Sequence, residues 1–212
     1  MSDAVRRTLD VLVSAGVLLL ASPVLLLAML VIRLESPGSP IYRQRRSGLH
    51  GREFDVIKLR TMVSGAEFMG AGLAVDAGDA RITRVGAFLR RTSIDELPNL
   101  VNVLRGEMSL IGPRPTLPQQ VAAYTERQRG RLSIKPGLTG WAQVNGRAAL
   151  PWSERIELDL WYIEHRSLRL DARILLRTVS VLLNGGSDAY RGATGGWRPE
   201  TPPPSAGDEP TE

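Results

Sequence analysis

Asp95 and Glu96 stand side by side in "TSIDELPNLVNVLRG", a stretch whose pattern gives two neighbouring carboxylates a definite setting. Leu97, Leu100, Val101 and Leu104 follow the helical spacing i, i+3, i+4, i+7, and Gly106 supplies a stop, so a helix is predicted to begin near Asp95. Two registers are open. Ser93 and Glu96 match a capping box, but Pro98 then falls at the fifth helical position, where its missing N–H matters. With Asp95 as the cap, Pro98 falls at the third position, where the N–H is free anyway, and this register is preferred. Either one puts both acids at the positive end of a helix, which favours the anionic form by roughly 0.3–1 kcal/mol. An ionised carboxylate is what a nucleophile for phosphorus or carbon has to be, and what a magnesium ligand has to be. Adjacent helical residues point about 100° apart, so two distinct roles fit better than one shared site. Acids in first turns also occur simply as complements to the dipole, so the pair needs partners to count as a site.

Cationic partners are available on both sides. "KLRTM" offers Lys58 and Arg60, "FLRRT" offers Arg90, and "SLIGPRP" brackets Arg114 between two prolines, which fixes the backbone and aims a guanidinium. "KPGLTGWAQVNGR" carries the turn signal Pro136-Gly137, then Gly140, Trp141, Gln143 and Arg147, which together suit a loop approached closely by a ligand. The glycines match neither a dinucleotide fingerprint nor a phosphate-binding P-loop. His50 and His165 lack ligand-like spacing, and the chain has no cysteine, so histidine metal sites, zinc-thiolate sites, thiol nucleophiles and disulfides are not supported.

The elements that position these residues are short. "SPIYRQRRSGLHGREFDVIKLRTM" predicts two strands around the turn "SGLHG", the second delivering Lys58 and Arg60. "AGLAVDAGDA" reads as a small-residue loop. In "RITRVGAFLRR", Ile82, Val85 and Leu89 share a helical face and leave Arg84, Arg90 and Arg91 outside it. "SERIELDLWYIEH" predicts a helix capped by Ser153. "SLRLDARILLRTVSVLLNGG" is amphipathic, with Ile174, Leu175, Val179 and Leu182 on one side and an Arg169, Arg173, Arg177 stripe on another. Such a helix packs on the domain or lies on an anionic membrane surface.

From Val11 to Ile32 there are 22 residues without a charge. As one helix they would measure about 33 Å, enough to cross a hydrocarbon core of about 30 Å. Split at Pro23 they give halves of about 18 and 14 Å, neither of which crosses alone. Arg6 and Arg7 precede the run, and Arg33, Arg43, Arg45 and Arg46 follow it, so the positive-inside rule favours both ends in the cytoplasm. A hairpin satisfies that and a single span does not, although neighbouring groups can rescue a proline-kinked membrane helix. No A-x-A-like site closes the run, which argues against a cleaved signal peptide.

The net charge of +5 conceals an asymmetry. Residues 1–198 carry 27 bases against 18 acids, a net of +9, while the remaining tail is acidic. Nucleic acid, anionic lipid and phosphorylated substrates all fit such a body. With 11 aromatics and no basic-aromatic interleaving, a non-enzymatic basic module binding nucleic acid or lipid is the weaker reading.

The order of these blocks, from Ser22-Pro23 through "KLRTM", "RITRVGAFLRRTSIDELPNLVNVLRGEMSLIGPRP" and "KPGLTGWAQVNGR" to "DLWYIEHRSLRLDARILLRTV", resembles the bacterial sugar transferase family, the monotopic phosphoglycosyl transferases, in its minimal form. The resemblance runs from about residue 5 to residue 183. It implies an α+β fold. A re-entrant membrane helix over 1–35 would turn at Ser22-Pro23, followed by a small, mostly helical cytosolic domain over 36–184 with a short β-hairpin and amphipathic interfacial helices. The glycine- and proline-rich acidic tail, 185–212, lies outside the pattern and is expected to be disordered. The implied reaction moves a sugar 1-phosphate from a UDP-sugar to undecaprenyl phosphate, releasing UMP, at the cytoplasmic face of a bacterial inner membrane. Asp95 would be the nucleophile, Glu96 would assist, and magnesium would lie near both. Lys58, Arg60, Arg90, Arg114, Gln143 and Arg147 are the expected substrate-binding residues. Lipid and the two substrates are the expected partners, nucleic acid is not, and a homodimer is left open.

Overall fold

The structure is a computed structural model that describes residues 3–69, 78–146 and 150–183. Most of the "AGLAVDAGDA" loop, Arg147 and the acidic tail lie outside those residues.

Helix α1 (Asp3–Glu35) is 33 residues long, about 50 Å at 1.5 Å per residue. Where a break was expected at Ser22-Pro23, helical geometry continues. The reason is local. Pro23 has no N–H for the carbonyl of Leu19, and the Ser22 hydroxyl donates to that same oxygen at 2.8 Å, so the group that proline orphans is satisfied. Asp10, Ser14, Leu25, Ala28 and Ile32 are buried, with Leu18 and Ala21 partly so, and the steps of three and four between them trace one stripe along the helix. Both ends are tied to the rest of the protein. Near the start, Arg6 pairs with Asp171 at 2.8 Å, Arg7 donates to the carbonyls of Val103 and Leu104, and Asp10 accepts from Leu110 N–H at 3.0 Å. At the far end, Glu35 accepts from Val85 N–H at 3.2 Å, in the first turn of helix α2 (Arg84–Thr92). The opposite face is bare and apolar, with Leu12, Leu19, Leu20, Leu27 and Leu34 all more than half exposed.

Strands β1 (Ile41–Ser47) and β2 (Glu53–Leu59) form the predicted antiparallel hairpin, with Ile41 opposite Leu59 and Arg46 opposite Phe54. Partnered residues share a face, so Tyr42, Gln44 and Arg46 lie on the side of Phe54, Val56 and Lys58. Phe54 and Val56 pack there against Leu100 and Val103 of helix α3 (Asn99–Arg105). The buried face of α3 also holds Asn102, a polar residue the periodicity does not account for. Its amide accepts from Ile57 N–H at 3.1 Å and donates to the Asp55 carbonyl at 2.8 Å, satisfying strand groups that would otherwise be buried unpaired. Gly106, at φ 82°, ends α3 as expected.

Strands β3 (Ser109–Ile111) and β4 (Gly137–Thr139) pair in parallel. Their glycines differ from expectation in purpose. A Cβ on Gly137 would lie 2.1 Å from the Gly112 nitrogen, and one on Gly140 2.1 Å from the Gly112 carbonyl oxygen. Backbone approach, not ligand approach, is what requires glycine there.

Short helices α4 (Pro118–Ala122), α5 (Glu126–Arg129) and α6 (Trp141–Val144) lead to α7 (Trp152–His165), whose cap position is Pro151, so that the predicted cap Ser153 falls inside its first turn. Arg131 and Asp159 form a buried pair at 2.7 Å that fastens α7 to the preceding turn. Helix α8 (Leu168–Leu183) buries Leu170, Asp171 and Ile174 but leaves the predicted apolar positions Leu175, Val179 and Leu182 exposed.

Candidate active site

The acidic pair sits at a reversal between α2 and α3. Ser93 ends α2 at φ 56°, a left-handed conformation uncommon for a residue with a side chain, and Ile94–Glu96 form one 3-10 turn. Leu97 and Pro98 keep right-handed helical angles, and α3 starts at Asn99. Neither sequence register is realised: the Ser93 side chain caps nothing, Asp95 lies within the turn, and Pro98 immediately precedes the helix. Ser93 fails as a cap because its backbone is used to turn the chain sharply enough to present both acids. Such off-minimum backbone gathers at functional sites.

Glu96 does not reach back to cap. One of its oxygens, Oε1, accepts from Lys58 Nζ at 2.7 Å and from an Arg114 terminal nitrogen at 2.8 Å. Burial works against its charge, but Arg114 and Lys58 outweigh burial and hold the carboxyl well below the usual range. The same burial pulls the Lys58 ammonium down, and Glu96 opposes that. Asp95 is the reverse case. It is 7% exposed, and no described residue hydrogen-bonds or ion-pairs with its carboxylate. Burial, then the neighbouring charge of Glu96, push it up to about 6, against the pull of Lys58, Arg90 and Arg114. Two adjacent acids therefore differ in kind: one is locked as an anion between two cations, and the other is unengaged and near its titration point.

An open cleft of about 290 Å³ adjoins the pair, lined by Arg46, Lys58, Glu96, Asn99, Arg114 and Leu138 among others. Of the expected substrate-binding residues, Lys58 and Arg114 are at its wall, and Arg90 is close enough to act on Asp95. Arg90 is half-buried and donates to the Thr61 hydroxyl at 2.8 Å, rather than standing outside α2. Gln143 donates to the carbonyl of Leu138 at 2.9 Å, so it backs the wall instead of facing the cleft. Arg60 is elsewhere: its guanidinium donates to the carbonyls of Ser36 and Pro37, both at 2.7 Å, and clamps the chain leaving α1. Two lining residues, Arg46 and Asn99, escaped the sequence reading. The hairpin register, which puts Arg46 on the face of Lys58, and the i, i+3 step from Glu96 to Asn99 are the signals that would have found them.

The described residues contain no cluster of three or more acids or histidines able to hold a metal by themselves. Magnesium, however, is usually held by one or two carboxylates together with substrate phosphates and water. The unengaged Asp95 carboxylate, with Glu96 beside it, fits that arrangement once a phosphate-bearing substrate is present.

Asp95 is a carboxylate without partners beside a cation-lined cleft, a setting that suits chemistry on a phosphate-bearing substrate. A profile described as bacterial sugar transferase matches residues 1–185; the chain belongs to this family and is a phosphoglycosyl transferase. An uncharacterised sugar transferase of Bacillus subtilis is 44% identical over 179 residues, which cover 84% of this chain and 87% of that one. A UDP-glucose:undecaprenyl-phosphate glucose-1-phosphate transferase of Caulobacter vibrioides is 46% identical over 189 residues, covering 85% and 70%. An Escherichia coli enzyme with the same description is 41% identical over 182 residues, covering 82% of this chain and 39% of its own length.

Proposed function

We propose that the protein transfers a sugar 1-phosphate from a UDP-sugar to undecaprenyl phosphate in two steps. In the first, an Asp95 oxygen attacks the β-phosphorus, the bond to the UMP oxygen breaks, and UMP leaves with the electron pair. In the second, an oxygen of the lipid phosphate attacks the same phosphorus and the Asp95–phosphorus bond breaks, which restores the carboxylate and gives a lipid diphosphosugar. The observation that carries this reading is the contrast within the pair: Glu96 is paired through one oxygen with both Lys58 and Arg114, while Asp95 has no partner among the described residues. Lys58, Arg114 and Arg90 stabilise the charge that builds on the transferring phosphoryl group. Magnesium, when bound by Asp95, Glu96 and substrate oxygens, would neutralise phosphate charge.

The site must accept a soluble nucleotide and a lipid-borne phosphate from the same side of a membrane. Support for that arrangement comes from α1, whose Arg6 and Glu35 ends are both held by one charged domain. On this reading the ends of the helix lie on one side of the bilayer, the cytoplasmic side by the flanking arginines, and the bare leucine face enters the lipid around Ser22-Pro23. The exposed Leu175, Val179 and Leu182 of α8, beside its arginine stripe, suit the headgroup level.

The test is release of UMP by protein in lipid nanodiscs, supplied with undecaprenyl phosphate and a panel of UDP-sugars with magnesium. One sugar is expected to give turnover that Asp95→Asn abolishes. No UMP from any sugar, with steep salt-dependent binding of DNA instead, would favour the basic-module reading.

A further inference from the structure

The cleft beside Glu96 has more positive charge than its own acids match. Arg46, Lys58 and Arg114 line it, and Glu96 is the one acid among the lining residues. Lys58 and Arg114 both face the Glu96 carboxylate, so the third cation is the one without an anion of its own. Arg46 extends from β1, and its guanidinium donates to the Gln44 side-chain oxygen and, at 3.4 Å, to the Pro115 carbonyl. No carboxylate among the described residues lies within ion-pairing distance of it. A half-buried guanidinium held by neutral acceptors next to another guanidinium is costly unless an anion arrives. Burial, then Arg114, pull it down to about 10.

We propose that Arg46 is a phosphate-binding residue of this site, taking, together with Lys58 and Arg114, a phosphate group of a substrate. The inference rests on the phosphoglycosyl transfer proposed above. Three cations against one acid among the lining residues suit a phosphate anion, and the planar guanidinium suits two-pronged contact with its oxygens. The phosphate belongs to the nucleotide sugar or to the lipid acceptor; both present the same chemistry to Arg46.

Steady-state kinetics on the full chain in nanodiscs separate the two sources. Arg46→Gln should raise the KM for one phosphate substrate about ten- to a hundredfold, as expected for loss of a charge-assisted contact. A raised KM for UDP-sugar alone assigns the donor pyrophosphate, and a raised KM for undecaprenyl phosphate alone assigns the acceptor. Arg46→Lys should fall between wild type and Gln, since charge is kept and the fork is lost. If the Gln variant folds poorly, the Lys variant and inhibition by inorganic pyrophosphate carry the test. Gln44→Ala, which frees the guanidinium but keeps its charge, should leave the KM values within about threefold. Inhibition by UDP and by uridine gives an independent readout for a donor site: Arg46→Gln should weaken UDP and leave uridine unchanged. Unchanged KM values for both substrates, or equal weakening of UDP and uridine, would overturn the proposal, because Arg46 would then only brace the Pro115 loop. A wild-type protein without turnover that still binds UDP through Arg46 would instead remove the reaction and leave the phosphate site standing.

Discussion

Asp95 and Glu96 differ by one methylene and one position, yet their surroundings drive their proton affinities apart. Glu96 is an anion because Lys58 and Arg114 share one of its oxygens, and Asp95 sits near 6 because burial and Glu96 act on it together. The nucleophilic form of Asp95 is the deprotonated one, so kcat/KM should fall as pH drops through about 6. Glu96→Gln removes a negative charge that raises Asp95 and leaves the cations that lower it. The acid limb should therefore move to lower pH, with turnover reduced about ten- to a hundredfold but not lost. A limb that stays in place or moves upward would show that the two acids do not interact in this way. Arg114→Lys keeps charge but not the planar fork, and kcat/KM should drop about tenfold or more. Wild-type turnover there would leave Arg114 a purely structural partner of Glu96.

At the scale of elements, α1 also holds the site in place. Asp10, buried just before the uncharged stretch of α1, accepts from Leu110 N–H in β3, four residues before Arg114. Asp10→Leu strands a buried N–H and should cost about 1–3 kcal/mol, whereas Asp10→Asn keeps an acceptor and should cost less. Thermal unfolding in detergent distinguishes them, and equal effects would mean that this bond contributes little.

Legibility from sequence divides along similar lines. The hairpin, Gly106 and the reach of Lys58 and Arg114 follow from alternation, turn residues and a proline bracket, all local signals. Arg46 was hidden among Arg43 and Arg45 because its face depends on strand register. Arg60 follows Lys58 by two positions, which suggests the same face, but β2 ends at Leu59 and the carbonyls after α1 capture the side chain. Gly137 and Gly140 answer to Gly112, more than twenty residues earlier, and no local pattern announces that contact. The capping registers failed because Ser93 adopts a left-handed conformation that neither allowed for.

For the whole molecule, the proposed transfer requires that both ends of α1 face the cytoplasm and that Asp95 carry the sugar phosphate between two substrates. Single cysteines from Ser2→Cys and Ser39→Cys should show the same accessibility to an impermeant reagent on intact cells; opposite accessibility would mean that the helix spans. Pro23→Leu restores the N–H to Leu19 and favours a span of 22 apolar residues, so it should push the two labels apart. The most direct measurement is mass spectrometry of the protein mixed with its UDP-sugar and magnesium, without polyprenyl phosphate. A phosphosugar adduct is expected on the peptide containing Asp95, absent in Asp95→Asn and discharged when undecaprenyl phosphate is added. Full turnover with lipid but no adduct without it, or near wild-type transfer by Asp95→Asn, would contradict the covalent route and make the lipid phosphate the direct attacking group.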